Sequence, residues 1–314
     1  MKNKIVVIGS SNVDLIMKMD HLPGKGETVS DALFFQIYGG KGANTAVGAA
    51  RAGGSVSFIN CVGEDAYTPV MVENLRNDGI DCSMVFQEKG LPSGHALVMI
   101  GGDGNNYLSV APGANYRLTP SKIDMATNLI NEAAIILLQN EIPVETTQYI
   151  LSLAEKINIP VLWNFAPARF FPEASMILKT DILVVNEIEA RHLSGIEITS
   201  ENDLAPTAEK LLKMGASTVV ITLGADGSYT QGQEFCLRLP AFKVKALDAT
   251  AAGDVFCGTL AVALTENKPW KEALRFASAA SAISVTKIGA QPSAPKREDI
   301  DMFLKQNKQV SFAE

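Results

Sequence analysis

Histidine and cysteine are scarce in this chain and poorly spaced for metal chemistry. His21, His95 and His192 lie far apart, and no His/Cys cluster has ligand spacing, which argues against a zinc-type centre. Cys61, Cys82, Cys236 and Cys257 contain no CxxC pair. They are too sparse for a disulfide scaffold and are expected to be reduced, mostly buried thiols. Positive charge is also short, 27 Lys and Arg against 34 Asp and Glu for a net −7, so no overall basic field draws nucleic acid or anionic lipid. A membrane span needs about 18 or more consecutive apolar residues, and no such run occurs. The opening MKNKIVVIGSSNVD is too short in its apolar part for a signal peptide. A cytoplasmic protein is expected, without nucleic-acid or membrane partners. The Walker pattern GxxxxGK[ST], the GxSxG elbow and GxGxxG are all missing. An acidic chain that handles phosphate must then do so locally, with backbone amides and a few cations.

What is present points to a large folded unit. The 314 residues are 47% hydrophobic and 19% charged, enough to bury a sizeable core. KIVVI, SVSFINCVG, AAIILLQNEIP, IPVLWNFAPA, DILVVNEIEA and ASTVVITLGADG are apolar runs of the kind a parallel sheet buries on both faces. Helical segments such as VETTQYILSLAEKI and LAPTAEKLLKMG separate or flank them. This alternation predicts an α/β fold with a doubly wound, mostly parallel central sheet flanked by helices. Two hairpins, near residues 12–38 and 93–111, break the rhythm and suggest a small extra sheet, either a lid or a dimer edge. No linker forces a second full domain, so residues 1–314 are expected to form one. The tail PKREDIDMFLKQNKQ predicts a polar helix followed by a few loose residues.

The densest signal is DATAAGDVFCG, Asp248–Gly258, expected to follow a strand at AFKVKAL and to open an apolar helix. Ala251, Ala252 and Gly253 would leave helix-start amides unshielded, a nest for an anion at the positive end of the helix dipole. A carboxylate beside bound phosphate is repelled, so Asp254 makes more sense as the acceptor of a proton from an attacking hydroxyl. The alternative is a helix-capping Asp. Other candidates also follow predicted strands. Lys41 and Asn44 in GGKGAN offer donors to a polyhydroxylated ligand, although an ordinary glycine turn looks the same. Asn12 and Asp14 in NVD suit vicinal hydroxyls or a turn. Asn186 and Glu189 in VVNEIEA allow a ligand role or an N-cap. TLGADG suits a nucleotide, and Glu141 a sugar hydroxyl.

Taken together, GGKGAN, VVNEIEA, NxAPAR (Asn164 to Arg169), TLGADG, DATAAGD and GAQPS resemble the ribokinase-like sugar kinases of the phosphofructokinase-B superfamily, in order, from about Lys4 to Phe303. The resemblance implies a β lid that often makes a homodimer interface. It also implies ATP, Mg²⁺ and γ-phosphoryl transfer to the 5-hydroxyl of a pentose, D-ribose foremost. Another small substrate (2-deoxyribose, a hexose or a nucleoside) and a non-catalytic sugar- or nucleotide-binding module are the alternatives. By resemblance Asp254 is the base, with Ala251, Ala252 and Gly253 at the anion hole. Asn12, Asp14, Gly40, Lys41, Asn44 and Glu141 fall on sugar positions. Asn186, Thr222, Gly224, Gly227 and Gly253 fall on nucleotide positions, and Glu189 on a motif tied to Mg²⁺. Asp248, Thr250, Ser284, Lys287, Gly289 and Ser293 match a monovalent-cation (K⁺) site. Ala249 stands where Thr is common, Ala251 where Gly is, and Ser278 where His or Asn often borders adenine. Trp163 and Phe165 replace the usual small residues, a change expected to concern packing.

Overall fold

The computed structural model describes residues 3–308. Its strands are β1 (Lys4–Ile8), β2 (Asn12–Lys18), β3 (Leu33–Gly39), β4 (Ser55–Gly63), β5 (Asp81–Glu88), β6 (Gly94–Ile100), β7 (Asn106–Ala111), β8 (Ala133–Leu138), β9 (Val161–Asn164), β10 (Ile182–Asn186), β11 (Thr218–Thr222), β12 (Ser228–Gly232) and β13 (Cys236–Leu239). Nine of them form one sheet in the order β13-β12-β11-β10-β9-β8-β1-β4-β5. Every pairing from β11 to β5 is parallel, and β12 and β13 add an antiparallel edge. The central strands carry branched apolar residues on both faces because both faces are covered. Along β1, Ile5 and Val7 enter the layer that holds the helices Lys41–Arg51 and Ala252–Thr265, while Val6 and Ile8 enter the layer with the helix Val144–Ile157. Each fully buried Val or Ile is worth roughly 1.5–3 kcal/mol of transfer free energy.

The helices Lys41–Arg51 and Ala252–Thr265 meet along a seam of small residues. A Cβ on Gly258 would lie 2.4 Å from the Thr45 carbonyl oxygen, and one on Gly48 would lie 3.1 Å from Val255 Cα. Backbone therefore meets backbone there, and the N-termini of the two helices open side by side.

The predicted hairpins form a second sheet of four strands, β3-β2-β6-β7. β2 pairs antiparallel with β3 and β6 with β7, while β2 and β6 run parallel in the middle. Both middle strands spring from the carboxyl edge of the large sheet, which sets this small sheet over that edge. Three strands escape the sequence reading. β5 is half exposed along its length and, like β13, lies at an edge of the sheet, which needs no two-sided apolar pattern, whereas β12 is paired on both sides and largely buried but reads SYTQG, with no apolar run. The strand expected at 241–247 does not form. Pro240 ends β13, a proline offers no donor to continue the ladder, and the segment instead anchors through the Leu247 and Asp248 amides, which both donate to the Val285 carbonyl. The polar terminal helix spans Arg297–Gln306; the loose residues expected after it lie outside the described residues.

Candidate active site

Gly40 ends the glycine turn at φ 88°, a conformation that side chains rarely adopt, and a Cβ there would sit 2.6 Å from Ser11 Cα. This close approach presses the start of the Lys41–Arg51 helix onto the β1–β2 junction. The Lys41 amide donates to Glu141 Oε2 at 3.0 Å, and Ser10 Oγ donates to the same oxygen. Glu141, from the loop after β8, thus caps the positive end of that helix.

Beside it, Ala251 adopts φ 62° and ψ 6° immediately before the Ala252–Thr265 helix. A left-handed residue followed by helical ones turns successive amides the same way and forms an anion nest. The Gly253 and Asp254 amides have no acceptor among the described residues. A Cβ built on Gly253 meets nothing within 4 Å, so the nest is open to a ligand. Ala251 carries a methyl where the backbone favours glycine, at a strain of roughly 1–2 kcal/mol. Glycine also gains freedom in the unfolded chain, so Ala251→Gly is expected to stabilise by a net of about 0.5–1 kcal/mol. A urea titration showing an unchanged or lower midpoint would count against strain at this residue.

Asp254 faces inward from the first turn, only 4% exposed, into a polar group. Asn44 Nδ2 donates to its Oδ2 at 3.1 Å, and Asn164 Nδ2 lies 3.5 Å from its Oδ1. Burial pushes the Asp254 carboxyl above the usual carboxylate range, against the pull of the Lys41 charge and the Asn44 donor. Reciprocally, the Asp254 carboxylate raises the Lys41 ammonium, and burial only partly opposes it. Burial also raises Glu189, with Lys41 pulling the other way. Asp14, on the small sheet, is pushed up to about 7 by burial and then by the neighbouring Glu141 charge. The structure therefore gathers Asp14, Lys41, Asn44, Glu141, Glu189 and Asp254 into one electrostatically coupled group. A buried carboxyl with a raised proton affinity is a better base than an ordinary aspartate.

The residues expected on the nucleotide side lie along the same edge. Asn186 is the N-cap of the helix Glu187–Ser194, its Oδ1 accepting from the Glu189 amide at 2.9 Å while its own amide donates to Glu189 Oε2 at 2.8 Å. The capping alternative is thus realised, and it leaves Asn186 Nδ2 and Glu189 Oε1 for other partners. Thr222 is the β11 partner of Asn186. Gly224 and Gly227 shape the β11–β12 turn, where the Leu223 amide donates to Gly227 O at 2.8 Å. Among the described residues no hydrogen bond joins that turn to Asp254.

Asp248 holds two loops together. Its Oδ1 accepts from the Thr250 amide and hydroxyl at 2.9 and 2.6 Å, and its Oδ2 from the Gly289 amide at 2.8 Å. Burial works against it, yet these donors keep its carboxyl below the usual range. The Ser284 and Ser293 hydroxyls donate to the Ser281 and Ala290 carbonyls. Lys287 is exposed and Gly289 buried. Among the described residues no cluster of three His, Cys, Asp or Glu is placed to hold a metal. Trp163 and Phe165 are fully buried and pack edge to face, and Trp163 Nε1 donates to Asn140, as expected of packing residues.

The sequence reading missed Ser10, Ser11, Asn60 and Asn115, which surround Asn12 and Glu141. A lone Asn inside the apolar strand SVSFINCVG was the available signal for Asn60. Asn115 follows a hairpin, where asparagine is common in turns, and it gave none.

The pfkB family carbohydrate kinase model matches residues 2–297. A ribokinase of Haemophilus influenzae is 36% identical over 304 residues, covering 97% of this chain and 99% of that protein. A deoxyribokinase of Salmonella typhimurium is 33% identical over 97% of this chain and 99% of its own length. The structure of the Arabidopsis thaliana ribokinase complexed with ribose and ATP superposes with a TM-score of 0.91 at 32% identity, covering 97% of this chain and 99% of that one. The match runs over nearly the whole chain in sequence and in fold, and the chain belongs to the pfkB family of carbohydrate kinases.

Proposed function

We propose that this chain transfers the γ-phosphoryl group of ATP to the 5-hydroxyl of D-ribose, giving ribose 5-phosphate and ADP. The observation that carries the proposal is Asp254, a buried carboxyl of raised proton affinity at the foot of an open amide nest, flanked by Lys41 and Asn44. Ribose lies beneath the small sheet, its hydroxyls held by Asn12, Asp14, Gly40, Lys41, Asn44 and Glu141. Asp254 takes the O5 proton as the O5–Pγ bond forms and the bond from Pγ to the β,γ-bridging oxygen breaks. The released electron pair leaves on ADP. The free Gly253 and Asp254 amides face the charge on the migrating group, the Ala252 amide being bonded to the Ala249 carbonyl instead, while Lys41 neutralises part of it. Positioning and charge supply the catalysis, since phosphoryl transfer asks for little else.

Mg²⁺ fits the oxygen chemistry of this edge, where the unspent Glu189 oxygen would face it together with the ATP phosphates and water; bound there, it would neutralise phosphate charge. The Asp248 loops offer one carboxylate and several carbonyls, a set suited to K⁺, with Asp248, Thr250, Ser284, Lys287, Gly289 and Ser293 as its holders. Asn186, Thr222, Gly224 and Gly227 line the nucleotide side. The small sheet exposes Phe34, Phe35, Leu97, Tyr107 and Leu108, which supports pairing with a second copy in a homodimer. No helix among the described residues is long and apolar enough to cross a membrane, and we place the enzyme in the cytoplasm.

The deoxyribokinase relative, 33% identical over nearly the whole chain, favours 2-deoxyribose as the second reading. An ADP-release assay with ribose, 2-deoxyribose, hexoses and nucleosides, run in K⁺ and in Na⁺ buffers, separates them. We expect the highest kcat/KM with ribose and rates in K⁺ far above those in Na⁺. A higher value for 2-deoxyribose would replace the substrate, and no sugar-dependent ADP release at all would overturn the kinase reading.

A further inference from the structure

Asn115 is buried, 1% exposed, and its carboxamide makes four hydrogen bonds. Oδ1 accepts from the Ser11 amide at 3.0 Å and from Asn60 Nδ2 at 3.2 Å. Nδ2 donates to the Ser11 carbonyl at 3.1 Å and to Asn12 Oδ1 at 2.9 Å. That is the full capacity of an amide group, two accepted and two donated. Carboxamide orientation is normally ambiguous, but here backbone settles it. Ser11 presents a fixed N–H and a fixed C=O to the two ends of Asn115, and Asn60 is pinned in turn because its Nδ2 also donates to the Gly9 carbonyl at 2.7 Å and its Oδ1 accepts from Ser11 Oγ at 2.8 Å.

The consequence falls on Asn12. Because Asn115 offers it a donor, Asn12 must turn its oxygen inward, and a flip would set two NH₂ groups against each other. Asn12 Nδ2, with no partner among the described residues, then points away from Asn115. Gly94, the β6 partner of Asn12, leaves room for this contact, since a Cβ there would lie 2.1 Å from Asn12 Oδ1 and 2.2 Å from Asn115 Nδ2. The network sits where β2, β6 and the end of the β7 hairpin all leave the large sheet.

We propose that Asn115 is a positioning residue that fixes the polarity of Asn12, so that Asn12 meets the sugar as a hydrogen-bond donor and recognises a hydroxyl oxygen as acceptor. This rests on the assignment of Asn12 to the sugar. Asn115→Asp keeps the shape and still accepts from Ser11 and Asn60, but it has no donor for Asn12, whose amide then flips and presents oxygen to the site. Asn12→Asp leaves the Asn115 contact intact and replaces the outward donor by an acceptor.

The test measures ribose affinity by calorimetry, with steady-state KM for ribose and for ATP, on the wild type, Asn115→Asp, Asn12→Asp and Asn12→Ala. Both Asp variants are expected to weaken ribose binding about ten-fold or more, the size expected when a site's hydrogen-bond polarity is reversed, with the ATP KM changed less than about two-fold. A merely structural Asn115 would lower the folded fraction and leave ribose affinity of the remaining folded enzyme unchanged, and that result overturns the proposal. Should Asn115→Asp fail to fold, unchanged ribose affinity in Asn12→Asp overturns it alone. Unaltered binding in Asn12→Ala would remove Asn12 from the sugar site and the inference with it, while leaving the kinase activity standing.

Discussion

Asp254→Asn is expected to lower turnover by about 10²- to 10⁴-fold, the range for loss of a positioned general base, with ribose affinity changed only a few-fold. The substitution is nearly isosteric, and its carbonyl oxygen can still accept from Asn44, which donates to Asp254 at 3.1 Å in the native protein. What disappears is the capacity to take the O5 proton. ATP affinity should not suffer, because a negative charge near its phosphates is also removed. Burial raises the Asp254 proton affinity, so the acid limb of the wild-type rate profile should lie above the usual carboxylate range, and the variant's residual rate should lose that limb. Near-native turnover in the variant, measured by ADP release at saturating ribose, would remove Asp254 from the chemistry.

The second large effect concerns Asp14 and has opposite signs for stability and for function. Its carboxyl titrates at about 7 in the folded protein against an ordinary 3.8. Between those values the native state holds a proton that the unfolded chain has already released. Stability therefore falls as pH rises through that window, is unpenalised below it and is fully penalised above about 7. The penalty is on the order of a few kcal/mol. Asp14→Asn removes the titration, so the variant should be more stable than the wild type at about pH 8 and little different at about pH 4, while on the proposed sugar-binding role of Asp14 ribose binding should drop. Urea midpoints at the two pH values decide it, and a stability difference that does not grow with pH would refute the shifted carboxyl.

The sequence announced the sheet because parallel strands buried on both faces must be largely apolar, as AAIILL is throughout and TVVIT is at its centre. It announced the turn motifs because glycine is compulsory where backbone meets backbone, as at Gly40. β5 and β13 stayed hidden because edge strands answer to solvent on one side, β12 because its SYTQG run is polar although the strand is interior and buried, and the segment at 241–247 looked like a strand because alternation alone does not supply a pairing partner. Within the site, charged residues after strands were visible, whereas the raised proton affinity of Asp254 was not. The sequence suggests an ordinary aspartate, and only burial in the folded protein changes that. Asn115 was invisible for a similar reason, since its meaning lies in the Ser11 peptide roughly a hundred residues earlier in the chain.

The glycine seam between the two site helices has a mechanical consequence. Lys41 and Asp254 ride on rods that touch main chain to main chain at Thr45 and Gly258, with no flexible side chain as a cushion between them. Their spacing is accordingly stiff, so in the proposed reaction the ammonium and the carboxyl would stay in register from one turnover to the next, with any adjustment to the sugar left to parts of the chain outside this seam.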